Sequence, residues 1–190
     1  MKIILSLRRG HYMKRVGVFL ITVALVAGMM GCPPSEAVTF LDPNLEAAVR
    51  EAIATPEGPI YPSDLEGLTY LSASGKNITD LTGLEYCTSL TELYLGDNQI
   101  SDISPLANLT NLTHLGLGGN QISDISSLAN LTKLTRLELW TNQISDISPL
   151  VDNMGLGAGD YVHLKWNPLS SDSINTYIPQ LQARGVTVVY

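Results

Sequence analysis

The chain has 190 residues, 45% of them hydrophobic, with mean hydropathy +0.15 and a formal net charge of −7, the balance of a globular chain rather than a disordered one. No acidic residue occurs before position 32, so the rest holds all 18 acidic residues against six basic ones, a net of −12. Charge of that sign repels nucleic acid and anionic membrane surfaces and excludes both as partners.

The amino end reads as an export signal. Val16 to Met30 is an uncharged apolar run behind Lys14 and Arg15. At 15 residues it is shorter than the about 20 a bilayer span needs and suits a secretory core. Gly31-Cys32 then resembles a bacterial lipoprotein signal, with Met29 where that signal usually has leucine. The resemblance implies removal of residues 1–31, lipidation of Cys32 and export to the membrane or cell envelope, with plain secretion as the alternative. Met13, ahead of Lys14, is a second candidate start. Residues 32–37 form a tether, opened by Pro33-Pro34, which cannot extend a helix. From Cys32 to Val38 it spans no more than roughly 20 Å.

Residues 38–66 are expected to form a helical amino-terminal cap. Asp42-Pro43 has the form of an N-cap and first helical position, Leu45, Val49, Ala52 and Ile53 fall on one face, and Thr55-Pro56 is the stop.

Residues 67–155 repeat. LTELYLGDNQISDISPLANLTN, LTHLGLGGNQISDISSLANLTK and LTRLELWTNQISDISPLVDNMG follow one another at a period of 22 residues. The apolar spacing Leu90, Leu93, Leu95, Ile100, Ile103, Leu106 and Leu109 fits neither a helix nor an alternating strand, and a lone unit has no second layer to bury it. Each copy carries L-x-x-L-x-L-x-x-N, the leucine-rich-repeat pattern: Leu90, Leu93, Leu95 and Asn98; Leu112, Leu115, Leu117 and Asn120; Leu134, Leu137, Leu139 and Asn142. The tail NQISDISPL resembles internalin-like bacterial repeats. The expected fold is therefore an α/β solenoid, with a parallel β-sheet on the concave face. The resemblance adds 3₁₀ or irregular turns on the convex face, the unit being too short for a full α-helix there. Leu68 to Ser89 is a degenerate first repeat with Lys76 in the asparagine column, as terminal repeats tend to be. Asn98, Asn120, Asn142 and Asn167 form a structural ladder whose amides satisfy backbone groups at the turn after each strand. Its last spacing is 25, an insertion of three residues around Gly155, Gly157 and Gly159.

Residues 156–190 are read as the terminal repeat and carboxyl cap. They comprise a strand from Tyr161 to Trp166, a helix capped by Ser171 or Asp172 and disturbed at Pro179, and a closing strand VTVVY.

No catalytic, cofactor or metal signature emerges, so no enzyme activity is expected. The glycines Gly116, Gly118 and Gly119 do not open a helix in a βαβ unit and read instead as a flat floor on the strand face. His114 and His163 lie two rungs apart, roughly 10 Å, too far to share a metal. Asp80, Asp102, Asp124 and Asp146 recur as turn caps. Cys87 occupies a leucine column and is expected to be a small core residue. The sequons at Asn77, Asn108, Asn111 and Asn130 fall out of the repeat itself.

The positions the repeat leaves free carry Tyr70, Glu92, Tyr94, His114, Arg136, Glu138, Trp140, Tyr161, His163 and Trp166, a mixture of aromatic anchors and polar rim suited to an interface. The expected function is a membrane-tethered module that binds a protein ligand on its concave face, as the internalin resemblance implies. A glycan or cell-wall ligand, stacking on Tyr94, Trp140 and Tyr161, and an envelope scaffold are the alternatives.

Overall fold

The computed structural model describes residues 36–190; the apolar run, Cys32 and most of the tether lie outside the described residues. Six parallel strands of three residues each stack in chain order: β1 (Tyr70–Ser72), β2 (Glu92–Tyr94), β3 (His114–Gly116), β4 (Arg136–Glu138), β5 (Tyr161–His163) and β6 (Thr187–Val189). Their middle residues, Leu71, Leu93, Leu115, Leu137, Val162 and Val188, pair rung over rung. All six point into the core. Further leucine and isoleucine columns fill the interior of each coil, such as Ile78, Ile100, Ile122 and Ile144, all fully buried. At about 1.5–3 kcal/mol per buried aliphatic side chain, this shared core outweighs every polar contact in the molecule.

The coil turns away from each strand through a residue in the left-handed region: Gly75 (φ 67°), Asp97 (55°), Gly119 (70°), Thr141 (51°) and Trp166 (61°). Glycine is at ease there, whereas a β-branched threonine and a bulky tryptophan are held against their preference. What holds them is the next residue in each later rung. Asn120 accepts the Ile100 N–H at Oδ1 and donates through Nδ2 to the Leu95 and Leu117 carbonyls, each at 3.0 Å. Asn98, Asn142 and Asn167 repeat the pattern on Ile78, Ile122 and Ile144, and Asn98 accepts the Lys76 N–H as well.

The convex side carries 3₁₀ turns at Leu84–Tyr86, Ser104–Leu106 and Ser126–Asn130. The fourth rung differs from the expectation. Its turn, α3 (Ser148–Asp152), is α-helical, in the rung that holds the three-residue insertion. Asn153, fully buried, anchors that insertion by donating to the Leu128 and Leu131 carbonyls and accepting the Gly155 N–H. Gly155 lies so close to the backbone of Thr132 that no side chain fits.

Both ends are covered. At the first, α1 (Pro43–Ala52) buries Leu45, Ala48 and Val49, and is followed by one short turn, α2 (Pro62–Leu65). Asp42 caps α1 and also accepts the Thr79 N–H and hydroxyl at 2.8 and 3.0 Å, fastening the cap to the first rung. Burial would raise its carboxyl pKa, but the bonds from Thr79, Leu45 and Asn44 outweigh this and hold it below the usual range. At the other end Ser170, not Ser171 or Asp172, caps the helix, its hydroxyl accepting the Ser173 N–H. A π-helical turn at Ser173–Tyr177 precedes α4 (Ile178–Ala183), a widening that accommodates Pro179, which would clash with the carbonyl four residues back.

Candidate binding face

Beyond the inward leucines, three columns of side chains stand on the concave sheet. The first runs Tyr70, Glu92, His114, Arg136, Tyr161, and the second Ser72, Tyr94, Gly116, Glu138, His163. The third lies two positions further on, where the ladder continues past the strands through bonds such as Gly119 N–H to the Trp140 carbonyl: Ser74, Gly96, Gly118, Trp140, Lys165. Trp166 does not lie on a strand as expected. β5 ends at His163, and Trp166 sits in the turn behind it, 73% exposed.

The candidate residues separate into two groups. Toward the carboxyl end, Arg136 donates to Glu138 at 2.6 Å, Glu138 pairs with His163 Nδ1 at 3.0 Å, the Arg136 guanidinium lies 4.9 Å from the centroid of Tyr161, and the Tyr161 and His163 rings meet edge to face. These four side chains are one another's partners. Only His163 Nε2, buried, is left without one.

The other group closes over the third rung. Tyr94 leans forward from the second rung until a Cβ on Gly116 would stand 3.1 Å from its ring. Trp140 leans back from the fourth rung onto Gly118, where any Cβ would collide with the indole, and Asp97 rests in the same way against Gly119. The three glycines are thus seats for neighbouring side chains rather than a bare floor. Column alignment at the 22-residue period was the signal for this, since it sets Gly116 beside Tyr94 and Gly118 beside Trp140. A cavity of about 180 Å³ remains between the rings, bounded also by Ser74 and Glu138. Tyr70 is 5.8 Å from Tyr94, ring to ring, and the Tyr94 hydroxyl donates to Glu92; partial desolvation, then that bond and the Glu92 charge, raise its pKa. His114 pairs with the Thr113 hydroxyl instead of joining either group.

Elsewhere, chemistry is muted. Asp80, Asp102, Asp124 and Asp146 each accept the N–H two residues on, at Thr82, Ser104, Ser126 and Ser148. Among the described residues no group of histidine, cysteine or carboxylate side chains converges as a metal site. Cys87 is fully buried, and burial, then the Glu85 charge, pushes its thiol up to about 12, far from a reactive thiolate.

The repeat, the open parallel sheet and the stacked core define a leucine-rich-repeat solenoid. A family model for leucine-rich repeats in two copies matches residues 66–108 and 110–152. Among solved structures the chain is similar to an internalin (InlF) of Listeria monocytogenes, at 33% identity and TM-score 0.57 over 68% of this chain and 45% of that one. It shares the fold of the functional domain of InlJ from the same organism, which includes a cysteine ladder (24% identity, TM-score 0.57, 70% and 40% covered). It likewise shares the fold of a leucine-rich-repeat protein of Leptospira interrogans (21%, TM-score 0.50, 67% and 38%). The chain spans less than half the length of these three structures. No curated protein sequence matches it.

Proposed function

We propose that this is a non-enzymatic binding module, tethered to the bacterial membrane by lipid on Cys32 after loss of residues 1–31, that recognises a protein ligand on its concave face. The observation that carries this reading is the pair of rings, Tyr94 and Trp140, converging on the glycines of one rung. Aromatic side chains on a solvent-facing sheet contribute little to the fold, while rigid rings held in place with small loss of side-chain freedom are what interfaces use as anchors. Trp166 supports it: a large apolar side chain, strained in the left-handed region and exposed at the margin of the same face, has no packing reason to be there. Among the described residues no helix is long and apolar enough to cross a membrane. In this scheme residues 32–37 are the tether, 38–66 and 156–190 close the ends, and 67–155 present the face.

The test is a Tyr94→Ala, Trp140→Ala double variant. It keeps its thermal unfolding within a few degrees of the parent and loses capture of its partner from crosslinked envelope extract. Retained capture removes the concave face from consideration. For the tether, metabolic labelling with a fatty acid marks the parent and not a Cys32→Ser variant, which then accumulates in the medium. A second reading, a glycan ligand, is favoured by the rings lying beside carboxylates, an arrangement that also suits sugar stacking; it requires binding to cell-wall polysaccharide that soluble sugar displaces.

A further inference from the structure

We infer that the cavity over the third rung receives a single lysine or arginine side chain from a basic polypeptide, so that the partner is recognised through a cation; this rests on the concave-face reading above. The walls are two aromatic rings, Tyr94 and Trp140, and two carboxylates, Asp97 and Glu138, and no basic side chain lines the space. The carboxylates are not equivalent. Glu138 is already engaged by Arg136 and His163. Asp97 is exposed and has no ion pair among the described residues; its backbone is left-handed and its carboxylate lies against Gly119, where no side chain displaces it. A positioned, uncompensated negative charge beside two π faces attracts a cation by both charge and ring quadrupole.

Size and field agree with this. At about 180 Å³ the cavity is below the range of small-molecule sites, roughly 300–1,000 Å³, and takes one extended side chain rather than a helix or strand. The methylenes of lysine or arginine can lie along an indole while the charged head reaches a carboxylate. Around it, residues 36–190 carry 18 acidic side chains against six basic, a field that draws a basic segment in. The two basic residues on the same part of the face do not compete: Arg136 is held by Glu138 and Tyr161, and Lys165 lies on the rung from which Trp140 leans away.

The full chain in non-ionic detergent, titrated with a short peptide of alternating lysine and glycine and followed by tryptophan fluorescence and calorimetry, tests this. Binding is expected, and a glutamate–glycine peptide is inert. Asp97→Asn, which keeps the shape, weakens it by about tenfold, whereas Asp124→Asn, the same charge change on the convex side, weakens it less than about twofold. Gly118→Ala, which evicts the indole, matches Asp97→Asn. Equal losses from the two aspartate variants would reduce the effect to a diffuse field and overturn the proposal, as would binding of a chitin oligosaccharide in place of the basic peptide. Capture of the partner that is lost in the Tyr94, Trp140 double variant, but indifferent to Asp97→Asn and to competing basic peptide, leaves the concave face standing and sinks the cation pocket. Peptide binding that depends on Asp97, together with capture that survives the double variant, shows a cation site through which the partner is not read, and overturns both.

Discussion

The two halves of the concave face are built on the same sheet with the same spacing, and they behave as opposites. Over the fourth and fifth strands the polar and aromatic side chains, Arg136, Glu138, Tyr161 and His163, satisfy one another and leave little to offer. Over the third rung the glycines remove any competitor, so Tyr94, Trp140 and Asp97 lean inward and keep their outer faces free. Whether a concave aromatic is a candidate anchor therefore depends less on its own identity than on the residue one period away. A neighbour with a side chain engages it, and a glycine frees it.

Both halves rest on the asparagine ladder, and breaking it should give the largest effect. Asn120→Ala orphans the Ile100 N–H in the interior beneath the open half and takes one of two amide bonds from the Leu95 and Leu117 carbonyls, which keep those from Asn98 and Asn142, at a cost of about 2–3 kcal/mol. Asn167→Ala, beneath the locked half, leaves comparable groups that are only partly buried and should cost roughly half as much. Chemical denaturation of the two variants checks the order. A reversed order would mean that the last rung, not the third, is the rigid part of the sheet.

The amino cap supplies a reference outside both halves. Because the folded-state pKa of Asp42 lies below its ordinary 3.8, its contribution is fully present above that value and is lost as pH falls through the folded-state pKa. Asp42→Ala should cost about 2 kcal/mol at neutral pH, since it removes an N-cap and the bonds from Thr79 together, and the deficit relative to the parent should shrink in acid. Thermal melts at pH 7 and pH 2 measure it, and ligand capture at pH 7 should survive.

Within the face itself the contrast is sharpest in a matched pair. Glu138→Ala takes the partner from Arg136 and leaves the half-buried His163 with neither nitrogen bonded, for about 1–2 kcal/mol. Trp140→Ala removes a side chain that only rests on Gly118 and should cost less than about 1 kcal/mol while abolishing binding. If Trp140→Ala proved the more destabilising, the open half would be ordinary packing.

Much of this was legible in the repeat. A 22-residue period with leucines at fixed offsets leaves one way to stack, and Asn98, Asn120 and Asn142 declare the turn. The candidate residues could also be named, because they are what the period does not specify. What the sequence withheld was their pairing across rungs. Glu138 and His163 are 25 positions apart, joined across the insertion, and no local pattern links them. The signature runs on through Trp166, but β5 ends at His163, the ladder bonds stop at Lys165, and Trp166 itself lies in the left-handed turn. The α-helical turn at Ser148–Asp152 and the anchoring role of Asn153 depend on where the extra residues go, which the period cannot say.

The third rung departs from its neighbours on the convex side too, and the smallest predicted effect asks whether the two departures belong together. Where the second and fourth rungs have Pro105 and Pro149, the third has Ser127, whose hydroxyl is buried without a partner. Its backbone N–H donates to no acceptor among the described residues, and the preceding residue is serine in all three rungs. The turn is therefore already compatible with proline, and Ser127→Pro should stabilise by about 0.5 kcal/mol, by removing both the orphaned hydroxyl and freedom in the unfolded chain. A slightly higher melting temperature with unchanged ligand capture would separate the convex departure from the glycines and leave only the concave one tied to recognition. A loss of capture would instead make the whole rung, through both faces, the unit that the ligand reads.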